Sequence, residues 1–222
     1  PNLSVFGMLE ASARNHSDAP ALAWFGRKIS YAELLKEVER CSAALAGFGV
    51  GKGDRVALIM PNCPQYPIAF YATARLGAVV VGNNPLYTTR EMEHQLRDCE
   101  PAVVVVLDLL YSDFAEVFPT VGLDHVVVAR LNDYMAFPKK QLAPALKFKK
   151  RQLEQGKPWP PVPKGAPVTW WEGWLAAAGP APSVAPIEPE KDPAGFIYTG
   201  GTTGISKGAM LSRRNMVANA MQ

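Results

Sequence analysis

Short apolar runs alternate with helical patterns along the first 130 residues, and this alternation restricts the fold more than any other feature of the sequence. The runs at 55–60, 78–81, 103–107 and 126–129 have the length of strands and are almost entirely apolar. Runs without polar residues at alternate positions indicate strands buried on both faces, as in parallel sheets. The sequence therefore predicts an α/β fold, with mainly parallel sheets and helices packed on their faces.

Two of the intervening helices are predicted to begin with capping boxes. Ser30 with Glu33, and Thr88 with Glu91, have the spacing at which a hydroxyl and a carboxylate satisfy two backbone N–H groups at the start of a helix. Behind Ser30, apolar residues that include Cys41 recur at helical spacing. We therefore predict that Cys41 packs in a core.

Composition narrows the class of protein. The chain has 222 residues, of which 48% are hydrophobic and 19% charged, and this excludes intrinsic disorder for most of its length. Three scattered cysteines without a CxxC pair argue against a disulfide framework and a zinc module, and they favour a reducing, cytoplasmic compartment. The apolar runs are shorter than the ~18–20 residues that cross a bilayer.

A basic segment, residues 139–164, interrupts the alternation. It has eight Lys or Arg residues against Glu154 alone, a local charge of +7 in a chain whose net charge is +3. A solvated surface loop is the interpretation we favour. The alternative is a surface that attracts anionic lipid headgroups and binds peripherally to the inner face of a membrane. In that case the chain could be a non-catalytic membrane-association module and not part of an enzyme. No nucleic-acid-binding motif accompanies the segment, so nucleic acid is not expected as a partner.

The chain is predicted to have three parts. Residues 1–131 form a first α/β subdomain, residues 132–193 an irregular basic and Pro-rich connector, and residues 194–222 the start of a second subdomain. Within the connector, residues 168–178 have helical spacing. Their three tryptophans are interpreted as a core face.

The residues best suited to chemistry follow the connector. A short strand at 195–198 is predicted to lead into a loop at 199–208, before a second strand at 209–211 and a helix capped by Ser212. Glycines bring backbone N–H groups close to a ligand, hydroxyls add donors, and a lysine adds positive charge, which together suit a polyphosphate. A plain hairpin turn would explain the glycines but not the hydroxyls or Lys207. The order Ser206-Lys207-Gly208 excludes a Walker A loop, and no Rossmann fingerprint is present.

The stretch Tyr198–Gly208, YTGGTTGISKG, resembles the phosphate loop of the adenylate-forming enzymes, which include acyl-CoA synthetases, adenylation domains of peptide synthetases and luciferases. The continuation is also similar, with Arg213 where the family usually has His. Residues 53–62 and 84–98 resemble the bacterial long-chain fatty acyl-CoA ligases. The resemblance implies that the chain is the N-terminal part of the large domain of such an enzyme. Because members of the family are more than twice as long, we expect no ligase activity from these 222 residues alone.

The resemblance further implies ATP-dependent activation of a long-chain fatty acid, through an acyl-adenylate, to its coenzyme A thioester. By position in the motif, Thr199 would bind magnesium through its hydroxyl, and Lys207 would supply charge to the terminal phosphates, so both are candidate catalytic residues. The remaining candidate phosphate-binding residues are Gly200, Gly201, Thr202, Thr203, Gly204, Ser206 and Gly208. The implied partners are the fatty acid, ATP and coenzyme A.

Several alternatives stay open within this resemblance. The acid could be a medium-chain or aryl acid, or the acyl group could be loaded on a carrier protein. A homo-oligomer is compatible with the sequence. Upstream, Glu91 and Asp98 are interpreted as carboxylates on the surface of a helix and His94 as a surface or semi-buried histidine, none of them with a catalytic role.

Overall fold

The computed structural model of the chain describes residues 4–142, 162–163, 165, 167–201 and 204–222. Most of the basic segment therefore lies outside the described residues. The helices and strands, in chain order, are α1 Val5–Asn15, β1 Pro20–Trp24, β2 Arg27–Ser30, α2 Tyr31–Gly47, β3 Arg55–Ile59, α3 Gln65–Arg75, β4 Val79–Asn83, α4 Thr89–Cys99, β5 Val103–Leu107, α5 Asp108–Phe114, α6 Val117–Thr120, β6 Val126–Ala129, β7 Val168–Trp170, α7 Trp171–Ala176, β8 Pro193–Gly201, β9 Gly204–Ser212 and α8 Arg213–Ala220.

Seven strands form one sheet in the order β7-β6-β5-β3-β4-β8-β9. Every neighbouring pair is parallel except β8 and β9, and the first two strands, β1 and β2, form a separate antiparallel pair. In the centre of the sheet, Val56 lies beside Val80 on one side and Val103 on the other. The prediction of an α/β fold with a mainly parallel sheet is confirmed.

Helices cover both faces of this sheet, as the apolar runs predict. The first, second, third and seventh helices pack on one face, and α4, α5 and α6 pack on the other. Alternate residues of β3 supply the two cores, because Leu58 joins the first and Ile59 the second. Cys41 has no exposed surface and lies in the first core, as predicted.

The predicted starts of two helices are confirmed. Both capping boxes form, since Ser30 and Thr88 each accept from the backbone N–H three residues on while Glu33 and Glu91 bind back to the cap. No helix in the described ranges is long and apolar enough to span a bilayer.

The predicted helix at 168–178 is wrong in its first turn. Val168–Trp170 is a strand that pairs in parallel with β6, and the helix begins at Trp171. The β-branched Val168 and Thr169 suit a strand, and the edge of β6 is available to pair with them. Of the three tryptophans, Trp171 and Trp174 are 1% and 6% exposed and lie in the first core.

The Pro-rich part of the connector is fastened to the end of α3. The guanidinium of Arg75 donates to the carbonyl of Pro182, with 2.6 Å between the heavy atoms, and the N–H of Ala185 donates to the carbonyl of Arg75. This passage leads into β8, which lies beside β4 with Ile197 opposite Gly82. The strand that opens residues 194–222 thus extends the sheet of the first part, and the division into two subdomains stays a prediction.

Candidate functional site

The glycine-rich stretch forms a β-hairpin. The strands β8 and β9 pair in antiparallel register, with Thr199 opposite Lys207 and Gly201 opposite Gly204. The predicted loop at 199–208 is therefore wrong in its local structure, because the two strands continue through most of it. Small residues put no bulk between the strands, so the backbones can pair where turn chemistry alone suggests a loop. Thr202 and Thr203, which follow Gly201 in the sequence, lie outside the described residues.

The two candidate catalytic residues lie side by side. Register partners in an antiparallel pair project their side chains on the same face, so the Thr199 hydroxyl and the Lys207 ammonium share one face of the hairpin. Both side chains are exposed. In the part of the chain that the structure describes, Lys207 makes no ion pair, and its charge faces solvent. A hydroxyl beside an unpaired cation is an arrangement that can bind an anion.

The other candidate phosphate-binding residues are distributed along the same hairpin. Ser206 and Gly208 flank Lys207 on β9 and are partly buried. The backbones of Gly200, Gly201 and Gly204 belong to the paired strands next to the tip. The structure thus brings the described members of the candidate set into one hairpin.

The hairpin projects from the carboxyl edge of the parallel sheet. Since β8 runs parallel to β4, the carboxyl ends of the two strands, at Gly201 and Asn83, lie at the same edge. Ligands of open α/β sheets bind outside the carboxyl ends of the strands, because the connecting loops there leave a crevice. The hairpin therefore lies at the edge of the sheet where ligands of open α/β sheets bind.

Tyr198, directly before the candidate residues, anchors the hairpin to α4. Its side chain is 7% exposed, and its hydroxyl donates to Oδ2 of Asp98 with 2.6 Å between the oxygens. Burial and this hydrogen bond to a carboxylate raise the pKa of Tyr198 far above its ordinary value, so the phenol keeps its proton. Gly208 lies against the ring, and a Cβ at position 208 would come within 3.2 Å of Cζ of Tyr198. Glycine at 208 therefore permits the close packing of the two strands on this ring.

His94 reaches the second strand of the hairpin. Its Nε2 is 3.1 Å from the carbonyl oxygen of Ser206, and its side chain is half-buried. Glu91, His94 and Asp98 do lie on the surface of α4, but the sequence does not reveal that two of them face the hairpin. The only available signal is that His94 and Asp98 are four residues apart in a helix and so share a face.

Arg213, where the resembled family usually has His, is a packing residue. It is 1% exposed, and its guanidinium donates to the carbonyls of Ala74 and Ala78, at the end of α3 and just beyond it. Burial lowers the pKa of Arg213, an effect partly offset by the charge of Asp192. Since the side chain is enclosed, this departure from the family pattern affects packing and not contact with a substrate.

Ser212 is the N-cap of α8, as predicted, and it forms a capping box with Asn215.

Thr199 can supply one oxygen ligand to magnesium. Within the described residues no three His, Cys, Asp or Glu side chains converge on a point that could hold a metal ion. Mg²⁺ commonly takes only one or two protein ligands and completes its octahedron with water and substrate phosphates, so an exposed hydroxyl beside a phosphate-binding face fits its chemistry.

The sequence and the structure are both similar to known AMP-binding enzymes and CoA ligases. The sequence profile of a family described as AMP-binding enzyme matches residues 9–222. A long-chain-fatty-acid–CoA ligase of Bacillus subtilis is 34% identical over 99% of this chain and 38% of its own length. The crystal structure of a long-chain-fatty-acid–CoA ligase from Archaeoglobus fulgidus is 25% identical, with a TM-score of 0.75 over 100% of this chain and 39% of its own.

A ligase for an aromatic acid has the same fold. The crystal structure of an anthranilate CoA ligase in complex with anthranoyl-AMP superposes with a TM-score of 0.79 at 21% identity, over 99% of this chain and 36% of its own. The chain therefore spans less than two fifths of the length of these relatives.

Proposed function

The chain belongs to the AMP-binding enzyme family, and we propose that it supplies the triphosphate-binding hairpin of an ATP-dependent acid–CoA ligase. The observation that carries this proposal is the register of β8 and β9, which sets the exposed hydroxyl of Thr199 beside the exposed ammonium of Lys207 at the carboxyl edge of the sheet. The family profile covers residues 9–222, which include the whole hairpin.

In this proposal the hairpin acts by electrostatics and orientation. Lys207 binds the terminal phosphates and offsets the negative charge that grows on the departing pyrophosphate. Ser206, Thr202, Thr203 and the glycine N–H groups donate hydrogen bonds to phosphate oxygens, and these contacts hold the α-phosphate in line for attack. Thr199 contributes its hydroxyl to magnesium, which, when bound, neutralises phosphate charge.

The proposed reaction has two steps. A carboxylate oxygen attacks the α-phosphorus of ATP, the bond to the β-phosphate oxygen breaks, and pyrophosphate leaves with the electron pair. The thiolate of coenzyme A then attacks the carbonyl carbon of the acyl-adenylate, and AMP leaves. The first step is the one to which the described residues contribute, because they hold the leaving group.

For the acid, we propose a long-chain fatty acid. The support is the 34% identity to a long-chain-fatty-acid–CoA ligase over 99% of this chain. Aryl acids are the alternative that the test must separate, since the ligase for anthranilate shares the fold.

We also propose that the protein is cytoplasmic, and that peripheral contact of its basic segment, residues 139–164, with anionic lipid is the alternative to test against the solvated loop favoured above. Only the sequence supports this contact, through the local charge of +7 of the segment. Most of the segment lies outside the residues that the structure describes. Vesicles of anionic lipid should bind the protein at low salt and release it as the ionic strength rises. Sedimentation of the vesicles measures the bound fraction. Binding that is equal on neutral and anionic vesicles would contradict this contact without affecting the ligase proposal.

The decisive experiment is the exchange of labelled pyrophosphate into ATP by a full-length protein that contains this chain. We expect exchange that depends on an added carboxylic acid and is fastest with acids of palmitate length. Exchange that is faster with benzoate or acetate would overturn the long-chain assignment. No exchange with any acid would overturn the ligase proposal.

A further inference from the structure

One helix, α4, contacts both strands of the glycine-rich hairpin. Asp98 accepts a hydrogen bond from Tyr198 on β8, and His94 lies at hydrogen-bond distance from Ser206 on β9. The two helix residues are four positions apart and therefore project from the same face. The hairpin is thus held at two points by a helix whose own start is fixed by a capping box.

The contact from His94 is made to the backbone beside Lys207. A carbonyl oxygen only accepts hydrogen bonds, so the imidazole must carry its proton on Nε2. The carbonyl of Ser206 and the N–H of Lys207 belong to one planar trans peptide, in which the two groups point in opposite directions. Holding the carbonyl towards α4 therefore fixes the direction in which the N–H of Lys207 points.

The contact from Asp98 fixes the neighbouring strand. Tyr198 is enclosed, its hydroxyl is 2.6 Å from Oδ2 of Asp98, and its ring packs against Gly208. Thr199 follows Tyr198 directly, just as Lys207 follows Ser206. Each of the two exposed candidate residues is therefore preceded by a residue that α4 holds.

We propose that His94 is a positioning residue for phosphate binding: it holds the Ser206–Lys207 peptide in the orientation that receives the phosphate chain, while Asp98 holds the opposite strand. This inference rests on the proposed function of the hairpin. A binding element that is already ordered loses less conformational entropy when its ligand binds, so removing the tether weakens binding without removing a contact to the ligand.

The test compares His94→Ala and His94→Gln in a full-length protein that contains this chain. The glutamine side chain carries an N–H donor that can reach a carbonyl, whereas alanine has none. His16→Ala is the matched control, since His16 is exposed and its side chain lies at the end of α1, away from the hairpin. Two quantities are measured: hydrogen exchange of the backbone amides of β9, and the Kd for magnesium–ATP and for magnesium–tripolyphosphate by calorimetry.

We expect His94→Ala to speed amide exchange in β9 and to raise both dissociation constants by about two- to tenfold, the factor that one hydrogen bond supplies. His94→Gln should restore most of both losses, and His16→Ala should change neither. A role in packing alone predicts equal effects of Ala and Gln on binding, and that result would overturn the proposal. Unchanged amide exchange in His94→Ala would overturn it as well.

The two proposals fail in different ways. If the unaltered full-length protein binds neither ATP nor tripolyphosphate, the proposed function and the positioning role in phosphate binding are both overturned. If the unaltered protein binds them and His94→Ala binds equally well, only the positioning role is overturned.

Discussion

Lys207 lies directly opposite Thr199 in the ladder between β8 and β9, and both side chains are exposed on the same face of the hairpin. Because neither side chain is used for packing, the pair is available to a ligand. A substitution at either residue should therefore change ligand binding while leaving the stability of the fold almost unchanged.

Lys207→Ala should weaken binding of magnesium–ATP by roughly ten- to a hundredfold, the range that a charge-assisted hydrogen bond of about 1.5–3 kcal/mol supplies. The free energy of unfolding should change by less than about 0.5 kcal/mol, since the side chain is exposed. Calorimetry and urea unfolding measure the two quantities. Lys191→Ala is the control, because Lys191 is an exposed lysine that pairs with Glu188 away from the hairpin tip. Equal affinities of the two variants would remove Lys207 from the site.

Gly208→Ala should destabilise the chain by about 1–2 kcal/mol, because the added methyl would lie 3.2 Å from a buried ring that its hydrogen bond to Asp98 holds in place. Gly47→Ala is a matched control: apart from its chain neighbours and the backbone of its own helix, no described atom lies within 4 Å of the added methyl, and Gly47 is the last residue of α2. Alanine favours helix there, so stability should be unchanged or slightly raised. Urea unfolding midpoints decide, and a loss at position 208 no larger than at 47 would contradict the packing argument.

The sequence predicts those parts of the structure whose causes are local. The run Val103–Leu107 predicts a strand buried on both faces, and the spacing of Thr88 and Glu91 predicts the start of α4, because periodicity and capping act within a few residues. The strands within 199–208 are not predicted, since their pairing depends on a partner strand and not on local propensity.

The tether on the hairpin is not predicted for a similar reason. His94 and Ser206 are 112 positions apart, and nothing near either residue indicates the contact. The glycine, hydroxyl and lysine composition nevertheless identifies the candidate residues, because the ligand chemistry is encoded in residue types even where the backbone geometry is not.

Arg213→Ala should lower the free energy of unfolding by roughly 2–3 kcal/mol, because it leaves the carbonyls of Ala74 and Ala78 without the guanidinium that they accept from. Lysine has a single ammonium in place of the two-armed fork, so Arg213→Lys should recover only part of the loss. The neighbouring Arg214→Ala is the control, since Arg214 forms an exposed pair with Glu190 that contributes little. Comparable losses for Arg213→Ala and Arg214→Ala in urea unfolding would show that the buried contacts do not contribute.

Asp133 makes stability depend on pH in the direction opposite to that of most carboxylates. It is 5% exposed, and burial raises the pKa of its carboxyl from the ordinary 3.8 to about 6, although Oδ2 accepts from the N–H of Arg130. Between these values the folded chain binds more protons at this site than the unfolded chain. The contribution of Asp133 to stability is therefore fully present below pH 3.8 and is lost as the pH rises through 6.

Asp133→Asn isolates this contribution, because the amide keeps an oxygen that can accept from the N–H of Arg130 but never ionises. The difference in unfolding free energy between the variant and the unaltered chain should shift in favour of the variant by about 1–3 kcal/mol from pH 4 to pH 7. Urea unfolding at each pH measures that difference, and other carboxylates cancel because both chains contain them. If the two stability curves run parallel across this range, the carboxyl of Asp133 does not titrate with a raised pKa in the folded chain.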